Sequence, residues 1–412
     1  MSGDAGRIET IDAVRGFAVC GILIMNIVAM GMPAYAYVDP FYYGGAEGAD
    51  LVAWGAAYVL ADGKMRALFT MLFGASMALI AERAEGRVPG PVATHYRRMA
   101  WLLVFGMLHA WGFWYGDILV VYALAGAIAF IAWQWPTSAL LYTSAGLFAL
   151  LVGIDLINWH DLALLKAAAE APDAPAIANE AWRAVLDVAT PSPALAREIE
   201  MYRGGVADVF AARAPMTILY QTELLPTSIL ESLCFMLFGL ALHRTGFFSG
   251  GWPRRAYQAL AAIGGLVVLP LYAPIVRLLI DTRFDPVILP LASALSLLLR
   301  PWLALAQVSL ILLFMASGQA RWLAVRLAAA GRMALSNYLG STIVATTIFY
   351  GYGLGLFGML GRADLYIVVA GIWAAILLWS KPWLDRFAYG PFEWLWRSLA
   401  RGALQPFRRI RY

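Results

Sequence analysis

The chain has 412 residues, 62% of them apolar and 14% charged, with a mean hydropathy of +0.70. A soluble protein carries roughly 45–50% apolar and 25% charged residues, so this much hydrocarbon excludes a water-soluble fold. The net charge of +4 does not point to nucleic acid, because the basic residues fall in short clusters between apolar runs, where their role is topological.

The apolar residues come in runs of roughly twenty, the length a helix needs to cross the hydrocarbon layer. They predict an all-α, polytopic integral membrane protein with a single membrane domain over 1–412 and about ten spans. These lie near 14–33, 65–82, 99–114, 117–134, 139–157, 217–242, 256–280, 301–318, 333–351 and 364–382. The N-terminal stretch carries Asp4, Arg7, Glu9, Asp12 and Arg15 and has no small-residue cleavage site, so the first run reads as a retained helix. Residues 51–60 are too short to span and carry Trp54 and Tyr58. They read as an interfacial or re-entrant helix leading into Asp62-Gly63-Lys64, and residues 287–299 ahead of Pro301 read the same way.

Met-Leu-Phe-Gly occurs at 71–74 and again at 236–239; an internal duplication and a coincidence of apolar letters are both open. Residues 158–214 form the one long connection, with Asp and Glu outnumbering Lys and Arg. Pro172, Pro175, Pro191 and Pro193 divide it into helix-like stretches such as Glu180–Val188, predicting short amphipathic helices over the outer face. Residues 383–412 form a basic, amphipathic tail with aromatics at head-group depth. An even span number with both termini cytoplasmic keeps the arginine clusters on one side, which is the arrangement expected in a bacterial cytoplasmic (inner) membrane. Cys20 and Cys234 fall inside predicted spans and read as small buried hydrophobes.

An ionisable side chain in a membrane helix costs at least ~2.5–3.5 kcal/mol at the bilayer centre, so each is a functional candidate. In the proposed topology Asn26 lies in the outer half of the first span, and Asp62, Lys64 and Arg66 stand at the outer mouth of the second. His109 and Asp117 flank the tight turn between the third and fourth, and Glu223 enters the sixth from the same side. His109 held by Asp117 has two readings. One is an imidazole with a free nitrogen for general-base work; the other is a polar clamp between adjacent helices. Lys64 and Arg66 suit an anionic group or interfacial snorkelling. Asp12 and Arg15 share a helix face at the cytoplasmic entrance, where they read as a topology anchor. Arg332 and Asn337 lie in Gly331-Arg332-Met333-Ala334-Leu335-Ser336-Asn337-Tyr338, a segment suited to close helix contact. His95, His160 and His243 read as solvent or interface residues, and no histidine has metal-ligand spacing.

These residues resemble a family, the YeiB-like bacterial membrane proteins, also called domain of unknown function 418. The resemblance rests on Arg7-Ile8 and Ile11-Asp12-Ala13-Val14-Arg15-Gly16 leading to Asn26. It continues in Asp62-Gly63-Lys64-Met65-Arg66 with Leu72-Phe73-Gly74, and in Leu108-His109 with Trp114-Tyr115-Gly116-Asp117-Ile118-Leu119. It ends with the Gly331 segment above and Tyr389-Gly390-Pro391-Phe392-Glu393-Trp394-Leu395-Trp396-Arg397.

The first helix is further similar to two groups of transmembrane acyltransferases, which move an acyl group from coenzyme A to an acceptor across the membrane. One group, modifying surface polysaccharides, has Asp-x-x-Arg-Gly and a catalytic histidine at the place held here by Asn26. The other, resembling the heparan glucosaminide acetyltransferases, has Asn there and draws its histidine from the segment after the first helix. In this chain Pro33 to Asp50 contains none.

The resemblance implies an acyltransferase-like protein with acyl-coenzyme A as donor and an outer-side hydroxyl or amine acceptor. His109, oriented by Asp117, would then be the base, with Asn26 toward the developing oxyanion. Lys64, Arg66, Asp62, Glu223, Arg15, Asp12, Arg332 and Asn337 would contact substrate. The alternative reading is a transporter or lipid-binding protein that uses the same residues without bond chemistry. Expected partners are membrane lipids, a small-molecule, lipid or sugar acceptor, and a second copy in a homo-oligomer, with no metal and no nucleic acid.

Overall fold

The computed structural model describes residues 3–191 and 193–408. Residues 409–412 of the expected basic tail, with Arg409 and Arg411, lie outside them, as do the side chains of Asp4, Arg7 and Glu9. Among the described residues there are helices and no strand. The backbone rule of the bilayer explains this, since a helix satisfies its own N–H and C=O groups where water cannot.

In chain order the helices are α1 (Gly3–Gly31), α2 (Gly48–Leu60), α3 (Lys64–Ala84), α4 (Pro91–Gly112), α5 (Leu119–Ala129) and α6 (Thr137–Ala169). The long connection contributes α7 (Ala176–Ala189), α8 (Pro193–Arg203) and α9 (Val206–Thr222), with Pro175 directly ahead of α7 and Pro193 opening α8. Then follow α10 (Leu225–Arg244), α11 (Arg254–Ile263), a π turn over Gly264–Val268, α12 (Leu269–Asp281) and α13 (Ile288–Ala316). The chain finishes with α14 (Arg321–Arg332), α15 (Ala334–Phe349), α16 (Arg362–Arg386) and α17 (Pro391–Arg401).

Among the described residues, seven helical stretches are long and apolar enough to cross a membrane: Thr10–Gly31, Gly48–Ala84, Thr137–Ala169, Leu225–Arg244, Arg254–Asp281, Ile288–Ala316 and Arg362–Arg386. They correspond to seven of the ten expected spans. The other three correspond to α4, to a shorter apolar helix over Leu119–Ala132, and to α15 with its 16 residues.

Three boundaries differ from those expected. Residues 287–299 are not a separate interfacial helix. They are the first half of α13, which runs through Pro301, because a membrane helix tolerates proline when its neighbours re-satisfy the freed backbone groups. The expected span near 217–242 is two helices, with α9 ending at Thr222 and α10 starting at Leu225. The ninth span is preceded by α14, which packs along α1 and α16 rather than standing in a connection.

Two close crossings hold the bundle, and both are reciprocal. A Cβ on Gly74 of α3 would collide with the Met236 carbonyl of α10, and one on Gly239 of α10 would collide with the Met71 carbonyl of α3. The two Met-Leu-Phe-Gly segments therefore pack against each other, each glycine over the other's methionine. In the same way Gly16 of α1 abuts the Leu327 carbonyl of α14, while Gly331 of α14 abuts the Asp12 carbonyl of α1. Small residues allow this backbone approach, and between apolar helices in lipid van der Waals packing replaces the missing hydrophobic drive.

Candidate functional site

His109 sits on the last turn of α4, and the chain reverses through Trp114-Tyr115-Gly116 before Asp117 leads into α5. The reversal brings the imidazole and carboxylate together, with His109 Nδ1 2.7 Å from Asp117 Oδ2 and both side chains almost completely buried. Asp117 Oδ1 accepts the Val120 amide at 2.8 Å, in the first turn of α5. Gly106, one turn before His109, leaves room for this carboxylate, since a Cβ there would meet Asp117 Oδ1 and the Val120 nitrogen. The Tyr338 ring of α15 lies 5.1 Å from the imidazole, and its hydroxyl accepts the Ile118 amide at 3.3 Å.

With Asp117 ionised, Nδ1 carries the imidazole proton and Nε2 is left as the acceptor. Among the described residues, the buried His109 Nε2 has no hydrogen-bond partner. Such an orphan costs ~1–3 kcal/mol and asks for a reason.

Two cavities lie near the pair; Asp117 lines one of them, and His109 lines neither. The first, of about 130 Å³, is lined by Asn26, Tyr37, Arg66, Asp117, Ser228 and Glu231 among others. The second, of about 390 Å³, is lined by Asp12, Arg15, Arg98, Arg332, Tyr338 and Arg397 among others. Along α1 the larger cavity takes residues 11–22 and the smaller takes 22–29, so they occupy opposite ends of the bundle; Ile22 and Ile118 line both.

The predicted site residues divide between these places. Asn26, Arg66 and Asp117 line the smaller cavity, and Asp62 accepts a hydrogen bond at 2.9 Å from the hydroxyl of its lining residue Tyr37. Lys64 does not line it. Its fully buried ammonium turns to α2 and α12, donating to the Tyr58 carbonyl at 2.7 Å and lying 4.1 Å from the Tyr272 ring centre, where a cation–π contact replaces a carboxylate. Glu223 is exposed at the α9–α10 junction and is not among the lining residues.

Asp12, Arg15 and Arg332 line the larger cavity at the other end. Arg15 donates to Asp12 at 2.7 Å and to Ser76 Oγ at 2.7 Å. Asn337 lines neither cavity. It is buried, donating to the Ala330 carbonyl and Ser380 Oγ while accepting from Trp379 Nε1, which occupies it as a joint between α14, α15 and α16.

Sequence reasoning overlooked Arg300 and did not assign the partners of several other residues. Arg300 and Arg66 both bind Glu231, Arg66 at 2.8 Å, making a three-charge network beside the smaller cavity. Arg300 stands directly before Pro301 in an otherwise apolar run, and that isolation was the available signal. Glu393 of α17 is buried and takes the Ser336 amide and hydroxyl; burial pushes its carboxyl up. His95 and His243 are buried, contrary to the solvent or interface reading; His95 Nε2 lies 3.0 Å from the Gly126 carbonyl, and its ring stacks on Phe130 at 4.1 Å. A ring flanked by apolar turns and given one carbonyl partner is stable away from water. His160 is exposed. Among the described residues no three metal-ligating side chains come together.

Comparison with known proteins places the chain in a family. The chain is 32% identical over 407 residues to the uncharacterized protein YeiB of Escherichia coli (strain K12), covering 97% of this chain and 98% of the relative. The chain belongs to the YeiB-like family. It is also 28% identical to the uncharacterized protein YxaH of Bacillus subtilis (strain 168), over 98% of this chain and 96% of that one. The family described as a protein of unknown function (DUF418) matches residues 242–403. No solved structure matches. The His109–Asp117 pair and both lining arginines of α1 and α4 lie N-terminal to the part that this family description matches.

Proposed function

We propose that this membrane protein transfers an acyl group at His109, from a thioester donor of the coenzyme A type to a hydroxyl or amine acceptor. The observation that carries the reading is the buried, partnerless Nε2 of an imidazole whose other nitrogen is held by Asp117. An acceptor hydroxyl is the group that Nε2 lacks.

In the step, Nε2 takes the acceptor's proton as its oxygen or nitrogen attacks the thioester carbonyl. The new C–O or C–N bond forms, the C–S bond breaks, and the proton passes from His109 to the departing thiolate. Asp117 steadies the imidazolium meanwhile. Asn26 lines the same cavity as Asp117, and in this reading it donates toward the oxyanion, a contribution of ~2.7–4 kcal/mol for one good donor. Arg66 would hold an anionic group of the acceptor, with Glu231 fixing its direction.

The positive-inside rule orients the molecule. The end carrying Arg15, Arg83, Arg98, Arg332 and Arg397 faces the cytoplasm of a bacterial inner membrane, and the Asn26 cavity opens to the other side. The test is release of free thiol from acyl-coenzyme A by the purified protein with candidate acceptors. Thiol release that is absent from His109→Ala supports the reading, and equal release by that variant overturns it.

A carrier is the second reading, favoured by one observation: the two cavities share Ile22 and Ile118 as a common wall, as two half-channels either side of a central gate would. Movement of an intact solute into proteoliposomes, with no thiol released, would select it.

A further inference from the structure

We infer that the larger cavity is a binding site for an amphiphile with a phosphate head, the head on arginines at its mouth and a single hydrocarbon chain in its interior.

The mouth gathers five arginines, from helices far apart in sequence: Arg15 on α1, Arg83 on α3, Arg98 on α4, Arg332 on α14 and Arg397 on α17. Two carboxylates stand among them. Asp12 is taken by Arg15, and Glu393 is taken by Ser336. Among the described residues, none of Arg83, Arg98, Arg332 and Arg397 forms an ion pair with a carboxylate.

Two of these guanidinium groups are held by aromatic faces instead. Arg98 lies 3.9 Å from the centre of the Trp396 ring, and Arg397 lies 4.6 Å from that of Tyr389. Stacking fixes the guanidinium plane while leaving its N–H edge for a ligand. Five guanidinium groups set against only the two carboxylates Asp12 and Glu393 repel one another, and a multivalent anion relieves that cost. Phosphate matches the guanidinium fork in geometry.

Deeper in, the lining turns apolar, with Phe69, Phe73, Met77, Met99 and Leu102. A free nucleotide or inorganic phosphate has no use for that interior, whereas an acyl chain does. Ile118 and Tyr338 also line the cavity, and Tyr338 is the residue whose ring lies against His109. A chain bound by its head at the arginines and reaching Tyr338 would bring its far end beside the His109–Asp117 pair.

Two sources supply this chemistry: the acyl thioester of a phosphorylated soluble carrier, and a phosphate lipid of the bilayer. Only the fate of the acyl group rests on the proposed transfer reaction; the binding does not.

The experiment uses the full chain in a maltoside detergent, which carries no phosphate. Palmitoyl-coenzyme A, phosphatidic acid and uncharged methyl palmitate are titrated separately, and binding is read by native mass spectrometry and thermal shift. At least one phosphate-bearing probe should bind and weaken as salt rises, with methyl palmitate at least about tenfold weaker, in keeping with the worth of charge-assisted hydrogen bonds. Preference for palmitoyl-coenzyme A identifies the soluble carrier, and preference for phosphatidic acid identifies the lipid.

Arg98→Gln and Arg397→Gln should each weaken the phosphate probes about tenfold or more, with Arg397→Lys recovering part of the loss. Arg83→Gln, at an exposed position, covers the case in which a half-buried variant fails to fold; Arg254→Gln on α11 should bind as wild type. Equal binding of methyl palmitate, no binding of either phosphate probe, or undiminished binding by the folded arginine variants overturns the site. Binding through these arginines in a protein that releases no thiol upholds the site and defeats the acyl-transfer reading alone.

Discussion

At the scale of single residues, the His109–Asp117 pair separates two roles that leave different traces. A helix clamp in a membrane protein is worth on average ~0.6 kcal/mol per hydrogen bond, whereas general-base assistance contributes ~10²–10⁴-fold in rate. His109→Ala is expected to lower acyl transfer by roughly that factor while moving the unfolding temperature little, and Asp117→Asn is expected to lower it through loss of the imidazole's orientation. Paired measurement of transfer and thermal unfolding decides; a large stability loss with transfer intact assigns the pair to structure.

Glu231 makes the complementary case. It joins exposed Arg66 and half-buried Arg300, so Glu231→Gln leaves two cations facing a neutral amide, with an expected loss of ~1.5–3 kcal/mol for hydrogen bonds to charged groups that solvent screens only in part. Chemical unfolding of the variant in detergent measures it, and a loss below about 1 kcal/mol would show that water already screens the network. At this scale the sequence was readable where partners are close in the chain. His109 and Asp117 flank one tight turn, but Glu231 finds Arg300 only because α10 and α13 approach in space.

At the scale of elements, the crossings of α3 with α10 and of α1 with α14 depend on absent side chains. Gly74→Val and Gly239→Val each press a branched side chain into the opposing backbone. Overpacking of this kind costs typically ~1–3 kcal/mol, and more where, as here, the obstacle is a carbonyl rather than a flexible side chain. Gly146 of α6, around which there is open space, should tolerate the same change with little loss. Thermal unfolding of the three variants checks the ordering; equal tolerance at Gly74 and Gly146 would remove the close crossing.

The repeated Met-Leu-Phe-Gly acquires a reason at this scale. Each glycine needs the other helix's backbone at the matching place, and reciprocal contact sets the same requirement on both helices of the crossing. Pro301 marks the opposite lesson. Read alone it suggested a helix start, but in lipid the cost of an open backbone exceeds the cost of bending around a proline, so α13 continues through it.

At the scale of the whole molecule, the arginines of five helices converge on one end, and the amides and carboxylates of the smaller cavity on the other. If the positive-inside rule governs this chain, a reporter at Ala176, which opens α7, behaves as extracytoplasmic and one at the C-terminus as cytoplasmic. A cytoplasmic signal from Ala176 would reverse the molecule and place the arginine-lined cavity outside.

What the sequence by itself determined is the solvent of this protein and the form of its backbone. Runs of about twenty apolar residues permit helices across a membrane and little else, because burial and internal hydrogen bonding are local requirements that each segment meets alone. The family was also written in motifs whose residues are near one another in the chain. The tertiary structure alone decided which costly polar groups share a space. Lys64 and Arg66 are two residues apart, yet one points to Tyr272 and the other to Glu231, since neighbouring positions on a helix face different partners. The arginine mouth was dispersed over α1, α3, α4, α14 and α17 as separate topological signals. It becomes a site only when packing brings those helix ends together, and no spacing within the chain encodes that distance.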